Sequence, residues 1–125
     1  MRAIVIDDSR AMRGLLKRVL IDMGFEVKEA GDGKEGLLRV ADGQRPELAL
    51  VDWNMPNMNG LQFVQAIRQD HAFDDMRIVM VTTEVEMNQI KAALDAGANE
   101  YVMKPFTEES LREKIEMLGI SREAA

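Results

Sequence analysis

Five short apolar runs, each followed by apolar residues at helical spacing, constrain this chain more than any other feature. Ala3 to Ile6 is the first run, and its unbroken apolar character is that of a strand buried on both faces. Met12, Leu15, Leu16, Val19, Leu20 and Met23 then fall on one helical stripe, with Ser9 placed to cap it and Gly24 to stop it. Glu26 to Ala30 reads as a second strand. The turn signal Gly31-Asp32-Gly33 leads to a helix marked by Leu37, Leu38 and Ala41, broken at Gly43 and Pro46. Leu48 to Val51 is the third strand, closed by Asp52. The segment Asn54 to Gly60 is rich in turn formers and precedes a helix begun by Leu61, Val64 and Ile67, with Phe63 beside them. Ile78 to Val81 is the fourth strand, ending at Thr82, and Ile90, Ala93, Leu94 and Gly97 trace the fourth helix and its stop. Tyr101 to Met103 is the fifth strand. Lys104-Pro105-Phe106 leads to Thr107, an N-cap with Glu108 and Glu109 in the first turn, and Leu111, Ile115 and Leu118 complete the last helix.

Strands joined by helix-length crossovers imply an α/β fold, a parallel sheet with helices on both faces. Right-handed crossovers leave few strand orders. A length of 125 residues fits a single domain, 1–125, with no room for a separate output domain. The absence of cysteine excludes disulfides and thiolate metal sites, as expected of a reducing, cytoplasmic setting. No run approaches the roughly 20 apolar residues of a membrane span, and the opening Met-Arg-Ala is no signal peptide, so membrane insertion is not expected. A net charge of −6 argues against nonspecific nucleic-acid binding. The single histidine, His71, lies in the polar stretch Gln69 to Asp75 and is expected to be exposed and inert. With this one imidazole, histidine-cluster zinc sites and Ser-His-Asp chemistry start badly.

In open parallel sheets the site forms at the carboxyl ends of the strands. There the sequence puts Asp7 and Asp8 after strand 1, Asp52 after strand 3, Thr82 after strand 4 and Lys104 after strand 5. Three carboxylates on one rim would repel one another and raise their own pKa values unless cations offset them. Hard oxygen ligands favour Mg²⁺ over zinc, and Lys104 adds a fixed positive charge. This set suits phosphoryl transfer to a carboxylate nucleophile. A hydrolase with an aspartate nucleophile would want a second acid two residues on, where Asn54 stands. A nucleotide-binding domain would want a glycine-rich first turn, where Asp7-Asp8-Ser9-Arg10 stands. Trp53 is expected to pack near the rim, and Met55, Met58 and Met87 to serve as adaptable surface contacts.

Asp7-Asp8, Asp52, Thr82 and Lys104-Pro105, in this order and spacing, resemble the response-regulator receiver family over essentially the whole chain. Asp52 to Gly60 and Tyr101 to Phe106 resemble its chemotaxis branch most. The resemblance implies a flavodoxin-like (βα)5 fold, strand order 2-1-3-4-5. It implies Asp52 as phosphoacceptor and Mg²⁺, with Mn²⁺ as an alternative, held by Asp8, Asp52, the Asn54 carbonyl and, through water, Asp7. It implies Lys104 on the phosphoryl oxygens, Thr82 and Tyr101 as the switch, a cis Lys104-Pro105 bond, and Asn54 and Glu84 tuning dephosphorylation. Its output face is helix 4, strand 5 and helix 5, here with Glu86, Met87, Ile90, Tyr101 and Lys114. Glu86 and Met87 stand where chemotaxis regulators carry lysines. The implied partners are a histidine kinase as donor, a downstream protein such as a flagellar motor switch, and a phosphatase. The chain would be a monomeric signalling domain, with autodephosphorylation as its only enzymatic activity. A phosphate sink or a relay receiver outside chemotaxis has the same site.

Overall fold

A computed structural model describes residues 1–43, 45–83 and 87–120. Its elements run β1 (Arg2–Ile6), α1 (Arg10–Asp22), β2 (Glu26–Ala30), α2 (Gly33–Ala41), β3 (Leu48–Val51), α3 (Gly60–Arg68), β4 (Arg77–Thr82), α4 (Met87–Ala96), β5 (Glu100–Met103) and α5 (Glu108–Met117). All pairings are parallel, and the strand order is β2-β1-β3-β4-β5, as the resemblance implied. No helix among the described residues is long and apolar enough to cross a membrane.

Successive strand residues point to opposite faces, so each buried strand feeds two cores. Ile4, Ile6, Ala49, Val51, Ile78 and Met80 meet Val40, Phe63, Val64, Ile67 and Ala93 on the α2, α3 and α4 side. Ala3, Val5, Leu48, Leu50, Val79 and Val81 meet Leu16, Val19, Leu20, Leu111 and Ile115 on the α1 and α5 side. Full burial of a residue such as Leu16 or Leu20 contributes about 2 kcal/mol of transfer free energy. The register brings the carboxyl ends level: Ile6 faces Ala30 and Val51, Val51 faces Met80, and Thr82 faces Met103.

The caps follow the sequence. Ser9 accepts from Met12 N–H at 3.2 Å, and Thr107 accepts from Ser110 N–H at 3.0 Å. Asp32, which reads only as part of a turn, caps α2 by accepting from Glu35 N–H. Strands β1, β4 and β5 each begin one residue earlier than the apolar runs, at Arg2, Arg77 and Glu100, because the ladder needs only the backbone of these polar residues. Leu38 and Leu94, which mark helices by spacing, are exposed. On α2 the inward stripe is instead Gly33, Gly36, Leu37 and Val40. The polar stretch around His71 hides a short 3₁₀ turn, His71–Phe73, anchored by buried Phe73 and Met76, while the His71 ring stays exposed beside Asp74. Met58 is no free surface contact: it packs half-buried on Gly33, and its carbonyl accepts from Gly33 N–H at 3.0 Å. Met55 is likewise packed against the core, and Met87 alone of the three is fully in solvent.

Arg68 closes the far end of the sheet. Its Nε donates to the Gly97 carbonyl at 3.0 Å, Nη1 to Phe73 at 2.8 Å, and Nη2 to Met76 at 2.7 Å and to Asn99 Oδ1 at 3.0 Å. One planar fork thus ties α3, the 3₁₀ turn and the α4–β5 connection. Burial lowers the guanidinium pKa. Arg68→Met should destabilise the protein by about 2–4 kcal/mol, because several inward-facing carbonyls lose their donor together. Urea unfolding measures this, and Arg68→Lys should recover only a minor part, since an ammonium cannot span the same acceptors.

Candidate functional site

β1, β3 and β5 deliver their next residues, Asp7, Asp52 and Lys104, and β4 its last, Thr82, to one rim. Asp52 N–H donates to the Ile6 carbonyl at 2.9 Å and Asp7 N–H to Ala30 at 3.1 Å, so both acids are fixed as extensions of the ladders. Asp7 is 1% exposed. One of its carboxylate oxygens accepts from Ser9 N–H at 2.8 Å, and the other lies 2.9 Å from Lys104 Nζ. Asp52 Oδ1 accepts from Trp53 N–H at 2.8 Å, and Oδ2 lies 3.6 Å from the same Lys104 Nζ. The Thr82 hydroxyl also favours the ionised form of the Asp52 carboxylate. Asp8 is exposed at the edge of the cluster. Lys104 reaches inward from β5 with its N–H on the Thr82 carbonyl at 3.0 Å, and the Lys104-Pro105 peptide is cis.

Burial raises the Asp52 pKa, and the neighbouring Asp7 charge adds to the rise. Lys104, the Thr82 hydroxyl and the Trp53 N–H act against it without cancelling it. Oxygens of Asp7, Asp8 and Asp52 lie within 4.8 Å of one another. Three carboxylates against one ammonium leave the cluster electronegative, and the donors are all hard oxygens with no imidazole or thiolate. That set fits Mg²⁺, with Mn²⁺ as the softer alternative.

The segment after Asp52 is shaped by contact with it. Gly60 N–H donates to the Trp53 carbonyl at 2.9 Å, and a Cβ at Gly60 would drive into the Asp52 carbonyl. Asn57 takes a positive φ of 66°, which Asn tolerates, and its amide donates to Asp32 Oδ2 at 2.7 Å. That bond clasps the loop to the start of α2.

The structure therefore brings together Asp7, Asp8, Asp52, Thr82 and Lys104. Asn54 stands exposed in the loop two residues after Asp52, and Pro105 follows Lys104 at the rim. Trp53 is buried beside the cluster. Tyr101 lies one strand residue beyond Glu100, half-buried against the α4 side of the core. On the expected output face, Met87 is exposed, Ile90 is half-buried, and Lys114 bridges to Glu100 at 3.3 Å. Glu84 and Glu86 lie outside the described residues. Leu94 and Met103 are exposed on α4 and β5, which helical spacing and strand pattern did not reveal. The backbone donors of Ser9 and Trp53 and the Arg13 side chain, which donates to the Asp7 carbonyl at 2.6 Å, were also unforeseen. Backbone N–H groups carry no residue-type signal, and Arg13 reads as one of several solvated helix cations.

The family model described as the response regulator receiver domain matches residues 3–116. The chain is 40% identical over 119 residues to the chemotaxis protein CheY1 of Helicobacter pylori (strain J99), covering 94% of this chain and 96% of that protein. It is 41% identical over 117 residues to a chemotaxis protein CheY homolog of Campylobacter jejuni (strain 81-176), covering 93% and 90%. The solved structure of the chemotaxis response regulator CheY4 of Vibrio cholerae superposes with a TM-score of 0.87 at 32% identity, covering 94% of this chain and 97% of that one.

A raised carboxyl pKa in the folded state means that ionised Asp52 weakens folding above that pKa, and that the deficit vanishes as pH falls below the unfolded value. Asp52→Asn should accordingly raise the melting temperature of the metal-free protein at pH 7, with a gain that shrinks toward pH 4. Thermal melts in chelator across that range check both signs. A pH-independent gain, or a loss at neutral pH, contradicts the account.

Proposed function

The chain belongs to the response regulator receiver domain family, and from that premise we propose that it accepts a phosphoryl group on Asp52 from a histidine kinase. The observation that carries this reading is the position of Lys104 Nζ, 2.9 Å from Asp7 and 3.6 Å from Asp52. A single ammonium is held between a buried acid and a candidate nucleophile, with a hydroxyl on the same carboxylate.

On this reading an Asp52 carboxylate oxygen attacks the donor phosphorus. The O–P bond forms as the P–N bond of a phosphohistidine breaks, and the leaving imidazole keeps the electron pair and takes a proton from solvent. Trp53 N–H, on Asp52 Oδ1, holds the carboxylate plane while this happens. Mg²⁺ held by Asp7, Asp8 and Asp52, with the Asn54 carbonyl, would neutralise charge on the transferring oxygens. Lys104 is free to exchange a carboxylate for a phosphoryl oxygen, since its partners are already anions at this distance. Thr82, whose hydroxyl favours the ionised carboxylate, would turn toward the phosphoryl group once it is attached.

The consequence is a shift between two pre-existing arrangements. Thr82 lies beside Met103 in the β4–β5 pair, and Tyr101 lies beside Met80. A displacement of Thr82 therefore bears directly on β5 and on Tyr101, and through them on a face formed with α4 and α5. Exposed Met87, Leu94 and Met103 supply adaptable apolar contacts there for a downstream protein. Chemotaxis is the favoured setting, since the relatives at about 40% identity are chemotaxis proteins. A flagellar motor switch is one target of that kind. Asn54 and Glu84 would set the rate of autodephosphorylation, which a phosphatase could speed. The chain acts on this reading as a monomeric receiver whose output passes through its partner. A phosphate sink has the same site but no phosphorylation-dependent partner.

Trp53 fluorescence tests the reading. Mg²⁺ should change it, and a small acyl phosphate should change it further only when Mg²⁺ is present. Asp52→Asn should abolish the second change. A Mg²⁺-independent response, or one that survives Asp52→Asn, rejects the proposal. Lys104→Met should keep the Mg²⁺ response but lose phosphorylation-dependent capture of the downstream partner, whereas loss of folding would mean that its role is structural.

A further inference from the structure

We propose that Arg13 is a positioning residue for the metal site, acting on Asp8 through the peptide bond that joins Asp7 to Asp8. The inference rests on the site reading above and names a part of the site that lies on neither a strand end nor the rim itself.

Arg13 sits in the second turn of α1, a helix whose other cations include Arg18, with a side chain 66% exposed. The Arg13 side chain is only 19% exposed. It turns in toward the sheet: Nη1 donates to the Asp7 carbonyl at 2.6 Å, and Nε lies 3.3 Å from Glu29 Oε1. Glu29 is on β2, beside Val5 of β1, and its other oxygen takes Lys17 Nζ at 3.3 Å. The guanidinium is therefore braced from the neighbouring strand while it grips a main-chain oxygen of the acid-bearing loop.

That oxygen matters because the two acids of the loop are held differently. The Asp7 carboxylate is fixed by Ser9 N–H and by Lys104. Asp8 is exposed, and among the described residues its carboxylate has no hydrogen bond or ion pair. Repulsion from Asp7 and Asp52 would swing an unconstrained Asp8 toward water. What keeps it within reach of the cluster is the direction of its backbone, and the Asp7 carbonyl defines the peptide plane leading into Asp8. The bond from Arg13 fixes that plane.

The opposite electrostatic expectation makes the inference decidable. A cation near a divalent-metal site disfavours the metal through space, and Glu29 offsets that charge here. If Arg13 mattered only as a charge, removing it would tighten Mg²⁺ binding; if it positions Asp8, removing it weakens binding.

The test is Mg²⁺ titration of the whole chain by Trp53 fluorescence, in wild type, Arg13→Met, Arg13→Lys, Asp8→Asn and the Asp8→Asn, Arg13→Met double variant. Arg13→Met should weaken Mg²⁺ binding about tenfold, the scale found for outer partners that orient metal ligands. Arg13→Lys should recover part of it, because an ammonium can keep the bond to the carbonyl without the brace on Glu29. In the Asp8→Asn background Arg13→Met should change little, since the ligand it positions is already lost. Unchanged or tighter binding by Arg13→Met overturns the inference, as does a full tenfold loss in the Asp8→Asn background. Should Arg13→Met lose its fold by circular dichroism, Arg13→Lys carries the same cycle: an Asp8-dependent loss of about threefold supports the inference and none overturns it. No Mg²⁺ response from the wild-type chain overturns the site reading and this inference together, whereas a normal wild-type response with an unaffected Arg13→Met overturns this inference alone.

Discussion

The Lys104 ammonium, held between the carboxylates of Asp7 and Asp52, is the interaction on which the rest depends. Asp7 is almost wholly buried and Asp52 nearly so. Two carboxylates so placed repel each other, and a cation in contact, Lys104 or a bound dication, offsets that repulsion. The fold is arranged to supply that cation. β1 and β3 must be neighbours for the two acids to converge, and the order β2-β1-β3-β4-β5 makes them so. Lysine must cross from β5 over the end of β4, and its backbone is pinned to the Thr82 carbonyl for that purpose.

The compensation is deliberately incomplete. Burial and Asp7 leave Asp52 with a raised pKa in spite of Lys104, Thr82 and the Trp53 N–H. Ionising Asp52 therefore carries a cost that the two apolar cores offset elsewhere in the molecule. The same imbalance makes the rim a receptor for positive charge. A dication would relieve it, and on the proposed function transfer of a phosphoryl group would replace a cramped carboxylate by a larger anion for which Lys104 and Thr82 would rearrange. Strain and reactivity have one origin, the number of acids exceeding the number of cations.

Much of this was legible in the residues alone. Unbroken apolar strands, helical stripes and Ser9 and Thr107 as caps gave the alternation of elements, and the acids and Lys104 stood where strands end. The strand order came from resemblance, since periodicity does not encode which strands pair, and so did the roles proposed for Thr82 and Tyr101. What stayed hidden has a common character. Arg68 and Arg13 look like surface cations in sequence, yet both turn inward onto carbonyl oxygens, which carry no side-chain signature. Phe73 and Met76 anchor a segment that reads as polar, because two buried residues in a short turn produce no period. Leu38 and Leu94 err in the other direction: helical spacing places them on a stripe, but the buried faces of α2 and α4 run through other residues, Val40 and Ala93 among them, and leave these two in water.

The central claim is that Asp52, and not its neighbouring acids, carries the phosphoryl group. The most direct measurement is chemical trapping of the modified chain. After treatment with a small acyl phosphate and Mg²⁺, borohydride reduces a carboxyl phosphate to the alcohol and releases phosphate, and peptide mass mapping locates the reduced side chain. The account requires that reduction at Asp52 alone, and only when Mg²⁺ was present. Reduction at Asp7 or Asp8, or none anywhere in a folded chain that binds Mg²⁺, would contradict it.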